Sequence, residues 1–124
     1  MNGPSPVIHP DNSTVPVAAG LARVVLVDVR AERMAVMRTL LEGTELVSVV
    51  GEADSEAVAL AEVERGHADL AVVEVQMPVV VGLAMVSALR ARFPELRIVV
   101  CSFHLLTSTK DQALENGADD YLAK

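Results

Sequence analysis

Cysteine occurs once, at Cys101, so neither an intramolecular disulfide framework nor a cysteine-based zinc site is available to this chain. A single thiol fits a reducing compartment. Aromatic residues are nearly as scarce, with one Tyr, two Phe and no Trp. That leaves no stacking platform for single-stranded nucleic acid. Positive charge is short too: ten basic residues against seventeen acidic ones give a net charge of -7. Such a domain grips a phosphate backbone poorly by itself. No apolar run approaches the length of a membrane span. Met1 to Pro10 shows no cationic stretch followed by an apolar one, so it does not read as a signal peptide. Neither a P-loop nor a GxGxxG pattern is present, which counts against a nucleotide binder. What is present is a chain of 124 residues, 52% hydrophobic and 22% charged. That composition excludes a disordered chain, and the length suits one core. The expected location is cytoplasmic.

Four of the six prolines (Pro4, Pro6, Pro10 and Pro16) lie among Asn, Ser, Thr and Gly in the first sixteen residues. Residues 1–20 therefore read as a flexible leader, and residues 21–124 as the folded domain. Ala22 to Val27 is a β-branched run that suits a strand buried on both faces. Arg30 to Glu42 places Met34, Met37, Leu40 and Leu41 at helical spacing before Gly43. Thr44 to Val50 reads as a second strand. Asp54 or Ser55 caps a helix through Arg65 that Gly66 ends. Asp69 to Val75 is a third strand. Gly82 to Phe93 sets Leu83, Val86, Leu89 and Phe93 on one face, closed by Pro94. Leu96 to Ser102 is a fourth strand. Thr107 to Asn116 is a weaker helix ended by Gly117, and Asp119 to Lys124 is a fifth strand.

Apolar strands alternating with helices predict an α/β fold, a parallel sheet covered on both faces. Right-handed crossovers make that a doubly wound sandwich. In such folds, chemistry sits at the carboxyl ends of the strands. Asp28, Glu74, Ser102 and Lys124 each lie at or near such an end. Two acids, one hydroxyl and one amine on a common rim make a small polar pocket.

These stretches, in order, resemble the receiver domain of bacterial two-component response regulators. The carriers are VVLVD (Val24 to Asp28), DLAVVEVQMP (Asp69 to Pro78), Gly82-Leu83, RIVVCS (Arg97 to Ser102) and GADDYLAK (Gly117 to Lys124). The resemblance implies a flavodoxin-like, five-stranded sheet in the order 2-1-3-4-5. It also implies roles. An aspartate at the end of strand three accepts a phosphoryl group, and acids after strand one hold Mg²⁺. A Ser or Thr after strand four and a Lys after strand five contact phosphoryl oxygens, and an aromatic in strand five switches rotamer. Ser102, Lys124 and Tyr121 match the last three, and Met77-Pro78 matches the turn beyond the acceptor.

The sequence departs from that pattern at the chemical centre. The acceptor position holds Glu74, the acidic pair has become Asp28-Val29, and the usually small residue after Ser102 is Phe103. Val79-Val80-Val81 is apolar where a loop borders the site. Mg²⁺ relies on one or two carboxylates with phosphate and water, and Val29 supplies no oxygen. Glu74 extends a methylene further, and a small misplacement of a nucleophile costs about 10²-fold. Mg²⁺ binding is thus expected to be lost or weak, with no other cofactor and no catalysis. Glu74 then either mimics a phosphorylated acceptor by reaching Lys124 or Ser102, or merely fills space. His104 reads as a rim histidine, Leu105 and Leu106 as part of a partner surface or packed, and Cys101 as a small core residue.

The expected function is that of an atypical receiver, independent of phosphorylation. It would control dimerisation or activity of a DNA-binding output domain, often helix-turn-helix, which this sequence does not contain. The expected partners are a second copy of the chain, DNA only through that output domain, and no membrane, with a sensor kinase or a small ligand as input. The alternatives are a phosphorylatable receiver using Glu74, a ligand-binding pocket, and a small flavodoxin-like enzyme. The family also carries a fifth helix after strand five, whereas this sequence ends at Lys124. An apolar patch on one sheet face is therefore expected, covered by a neighbouring chain, by residues 14–21, or by a fifth helix outside this sequence.

Overall fold

A computed structural model describes residues 20–75, 79–102 and 107–123. Among them lie five strands and four helices in strict alternation: β1 (Ala22–Val27), α1 (Ala31–Gly43), β2 (Val47–Ala53), α2 (Glu56–Gly66), β3 (Leu70–Val75), α3 (Val79–Arg92), β4 (Arg97–Ser102), α4 (Thr107–Glu115) and β5 (Asp120–Ala123). The strands form one sheet in the order β2-β1-β3-β4-β5. Every ladder is parallel. This is the doubly wound, flavodoxin-like architecture that the sequence predicts.

The sheet separates two apolar clusters. Helices α2, α3 and α4 bury the larger one, in which Val25, Val73, Val86, Leu89, Ile98 and Val100 are all wholly inaccessible. Helix α1 covers the other face, where Val24, Leu26, Met34 and Val49 pack with half-buried Met37, Leu41, Leu70 and Val72. Strand residues alternate between the faces, which is why β1 and β3 read as continuous apolar runs. Helix α3 meets the expected face: Leu83, Val86 and Leu89 are buried and Phe93 half-buried.

Several boundaries differ from the expectation. Strand β2 runs over Val47–Ala53, not from Thr44 to Val50. The Thr44 hydroxyl donates to the Leu41 carbonyl at 2.6 Å and Glu45 takes a left-handed φ of 61°, so these residues make a turn. Helix α2 is capped by the Ser55 hydroxyl, which accepts from the Val58 amide, but His67, not Gly66, takes the left-handed position that ends it. Gly66 serves a close approach instead: a Cβ there would lie 2.8 Å from Val50 Cγ2. Helix α3 begins at Val79, so the valine triplet forms its first turn and is not a loop. Leu40, expected among the core residues of α1, is 63% exposed.

The face expected to be open is described in part. On the α1 side Leu122 is 53% exposed, while Val72 and Val99 are half-buried and Cys101 is buried. Leu21 packs against the opposite cluster and does not cover Leu122. The other leader residues expected to provide cover, 14–19, lie outside the described residues.

Arginine braces the amino end of the sheet. Arg23 is buried; its Nε donates to the Gly66 carbonyl at 2.7 Å and its own amide donates to Asp69 Oδ2 at 2.8 Å. Burial lowers the pKa of its guanidinium, and Asp69 partly opposes this. Arg90 donates to the Gly117 and Pro94 carbonyls and pairs with Asp119 at 2.7 Å.

Candidate functional site at the carboxyl ends of the strands

The parallel register carries the candidate residues to one rim. Val27 pairs with Val73, and the next residues along are Asp28 and Glu74. Glu74 pairs with Cys101, and Val75 pairs with Ser102. Ser102 in turn pairs with Ala123. Asp28 just after β1, Glu74 on β3 and Ser102, one residue beyond the partner of Glu74 on β4, thus gather at the carboxyl ends of neighbouring strands, at the point where strand order reverses. Asp28 is 6% exposed and Ser102 wholly buried. Glu74 is half-buried, with its Oε2 atom buried. Tyr121 pairs with Val100 and packs, half-buried, on the α2–α4 cluster. Phe103, His104, Leu105, Leu106, Met77, Pro78 and Lys124 lie outside the described residues.

Asp28 shows why this rim differs from a bare carboxylate pocket. Its amide donates to the Ala53 carbonyl at 3.0 Å, which fixes the residue as a continuation of the β1–β2 ladder. Its Oδ1 accepts the Arg30 amide at 2.9 Å. Arg33, in the first turn of α1, lies over both oxygens: Nε makes an ion-pair contact with Oδ2 at 3.2 Å, and Nη2 donates a long hydrogen bond to Oδ1 at 3.5 Å. An ion pair gains strength where water is scarce, as it is at Asp28, 6% exposed. The acid that remains from the expected pair is therefore compensated by a cation carried on the chain itself.

Val29, the next residue, is 66% exposed and offers no donor atom. Among the described residues, no three His, Cys, Asp or Glu side chains are placed to hold a metal ion. Octahedral Mg²⁺ wants several oxygens at once. The described donor set, Asp28 already forked by Arg33 and Glu74 on the neighbouring strand, does not fit that demand. Sequence reading set Asp28 and Val29 just after strand one and Glu74, Ser102 and Tyr121 in strands three, four and five, where the structure also has them, but missed Arg33. Its one signal is a cation five residues after a strand-end acid, on the first turn of the following helix.

Comparison with known proteins agrees with this architecture. The family model described as response regulator receiver domain matches residues 24–124. A protein-glutamate methylesterase/protein-glutamine glutaminase from Paramagnetospirillum magneticum is 32% identical over 104 residues, covering 82% of this chain and 27% of that protein. The transcriptional regulatory protein PrrA of Mycobacterium tuberculosis is 34% identical over 84 residues, covering 68% of this chain and 34% of its own. The crystal structure of a LuxR-family two-component response regulator from Aurantimonas sp. superposes with a TM-score of 0.77 at 26% identity, covering 84% of this chain and 74% of that one. The chain thus spans about a third or less of the two curated relatives. No helix among the described residues is long and apolar enough to cross a membrane. With the family model matched from the first strand to the last residue, and with the sheet order and rim positions described above, this chain belongs to the response regulator receiver domains of two-component signalling.

Proposed function

We propose that this receiver signals without phosphoryl transfer, and acts through conformation and association on the protein it serves. The observation that carries the reading is the Asp28–Arg33 fork. Phosphoryl transfer leans on a metal to neutralise charge on the transferring group. Here the one described acid next to Glu74 already holds a guanidinium, and its neighbour is Val29. Mg²⁺ then binds weakly or not at all, and Glu74 has no activated partner to attack. The likeness to PrrA and to a LuxR-family regulator supports an output on DNA, made by a separate domain. The net charge of -7 keeps DNA away from the receiver itself. The receiver performs no catalysis of its own in this reading. It sets the dimerisation or access of its output domain.

Incubation with acetyl phosphate and Mg²⁺, followed by intact mass measurement, tests the proposal. An unchanged mass is expected; a phosphate-sized gain on Glu74 overturns it. A second reading draws on the buried Oε2 of Glu74. A carboxylate held inside the rim stands where a phosphorylated acceptor would carry negative charge. If Glu74 acts as such a mimic, Glu74→Gln shifts the protein's oligomeric state while Glu74→Ser shifts it as far or further. Unchanged association in both variants removes this second reading.

A further inference from the structure

Beside the rim, on its β2 side, lies a groove of about 470 Å³. It opens between Val29 in the loop from β1 to α1, the start of α2 and the first two turns of α3. Its apolar lining is Val29, Val81, Ala84 and Met85, and its lip carries Asp54 and Glu56. Met85 is buried at its base, while Val29 is 66% and Val81 56% exposed. Two large aliphatic side chains therefore face water at one mouth, with a buried thioether beneath them. Asp54 and Glu56 are exposed and form no ion pair among the described residues. An apolar centre ringed by charge is the anatomy of a protein interface. A small-molecule pocket, by contrast, encloses its ligand and aims several polar groups inward.

The charge of the lip selects the occupant. A second copy of the chain would bring acid against acid, with -7 on each side. Nucleic acid and anionic lipid are repelled for the same reason. Residues 1–19 contain no Lys or Arg and so cannot complement Asp54 and Glu56. We infer that this groove receives one large apolar side chain from a basic segment of a partner protein. The apolar group covers Val29 and Val81 and reaches Met85, and flanking Lys or Arg residues meet Asp54 and Glu56. The inference is independent of phosphoryl transfer, because the groove excludes Asp28, Glu74 and Ser102.

The test uses the full chain, isotopically labelled, titrated with the peptide KKLFKK and followed by amide chemical shifts. The controls are KKAAKK, which lacks the apolar anchor, and EELFEE, which reverses the charge. Saturable shifts centred on Val29, Val81, Ala84 and Met85 are expected with KKLFKK, and both controls should bind about tenfold more weakly or worse. Val81→Ser should weaken KKLFKK about threefold by removing part of the apolar wall. Asp54→Asn with Glu56→Gln should weaken it by a similar factor and flatten its salt dependence. Ala84→Gln, at an exposed helical position, fills the groove without touching the core and should also lower affinity. Thermal melts establish that each variant is folded. Absence of saturable binding, shifts centred elsewhere, equal binding of EELFEE, or unchanged affinity in a folded Val81→Ser or Ala84→Gln variant would each overturn the inference.

Discussion

Replacing Arg33 by Met separates the two consequences of its fork with Asp28. Met keeps an aliphatic stem of similar length, so packing along the chain is largely retained while the charge goes. Exposed ion pairs contribute about 0–1 kcal/mol, and removing one partner of a buried pair costs about 3–5 kcal/mol. Asp28 is 6% exposed and Arg33 26% exposed, so the pair lies between those limits and nearer the buried one on the acid's side. The expected loss is about 2 kcal/mol, a fall in Tm of roughly 10 °C for a domain of this size. The second consequence concerns magnesium. With the guanidinium gone, Asp28 loses the charge of Arg33 while Glu74 stays on the neighbouring strand. Mg²⁺ should then recover part of the loss, about 1.4 kcal/mol when its concentration is ten times the dissociation constant. Urea denaturation of parent and variant, each with and without MgCl₂, reads both effects. The parent should be indifferent to MgCl₂ and the variant should not. A variant as stable as the parent, or a parent that gains as much from MgCl₂ as the variant, refutes the idea that Arg33 stands in for the metal.

Three further outcomes follow from the packing. Gly82→Ala would set a Cβ 2.9 Å from Val75 Cγ2 and 3.2 Å from Cγ1, so α3 must shift off β3; a loss of about 1–3 kcal/mol is expected in urea denaturation. Ile98→Ala empties a wholly buried position at the centre of the larger cluster and should cost about 2–5 kcal/mol by the same measurement. Arg23→Met removes a buried guanidinium whose Nη1 and Nη2 have no hydrogen-bond partner among the described residues, and forfeits the Nε bond to Gly66 and the attraction of Asp69. That change should leave stability unaltered or raise it by about 1 kcal/mol, and a loss above about 2 kcal/mol would contradict the desolvation argument.

The sheet was legible because its signal is simple. Short β-branched runs at regular spacing, each ending in a polar residue, admit few other arrangements. Strand β1 was found to the residue, and β3 and β4 within one. The errors fall where backbone geometry is set by contacts remote in sequence. Nothing in Thr44-Glu45-Leu46 announces the left-handed Glu45 that delays β2. Gly66 looked like a helix stop because glycine favours that role, yet Val50 on a neighbouring strand is what demands it. The valines opening α3 fall where the family resemblance implies a loop beside the site, and their β-branched side chains give no helical signal of their own. The site divides in the same way. The rim positions follow from strand ends, whereas the Arg33 fork depends on how the first turn of α1 lies over Asp28, which periodicity does not reveal.

Arginine ties at the amino end of the sheet have a mechanical corollary. Arg90 holds the turn before β5 to the end of α3, and Arg23 ties β1 to the end of α2. Arg65, clasped by Glu62, reaches the Val50 carbonyl and secures the adjoining helix. These ties lace together one end of the open sheet. Amide protons near Gly117 and Ile98, next to the Arg90 clasp, should therefore outlast that of exposed Val29 in deuterium exchange.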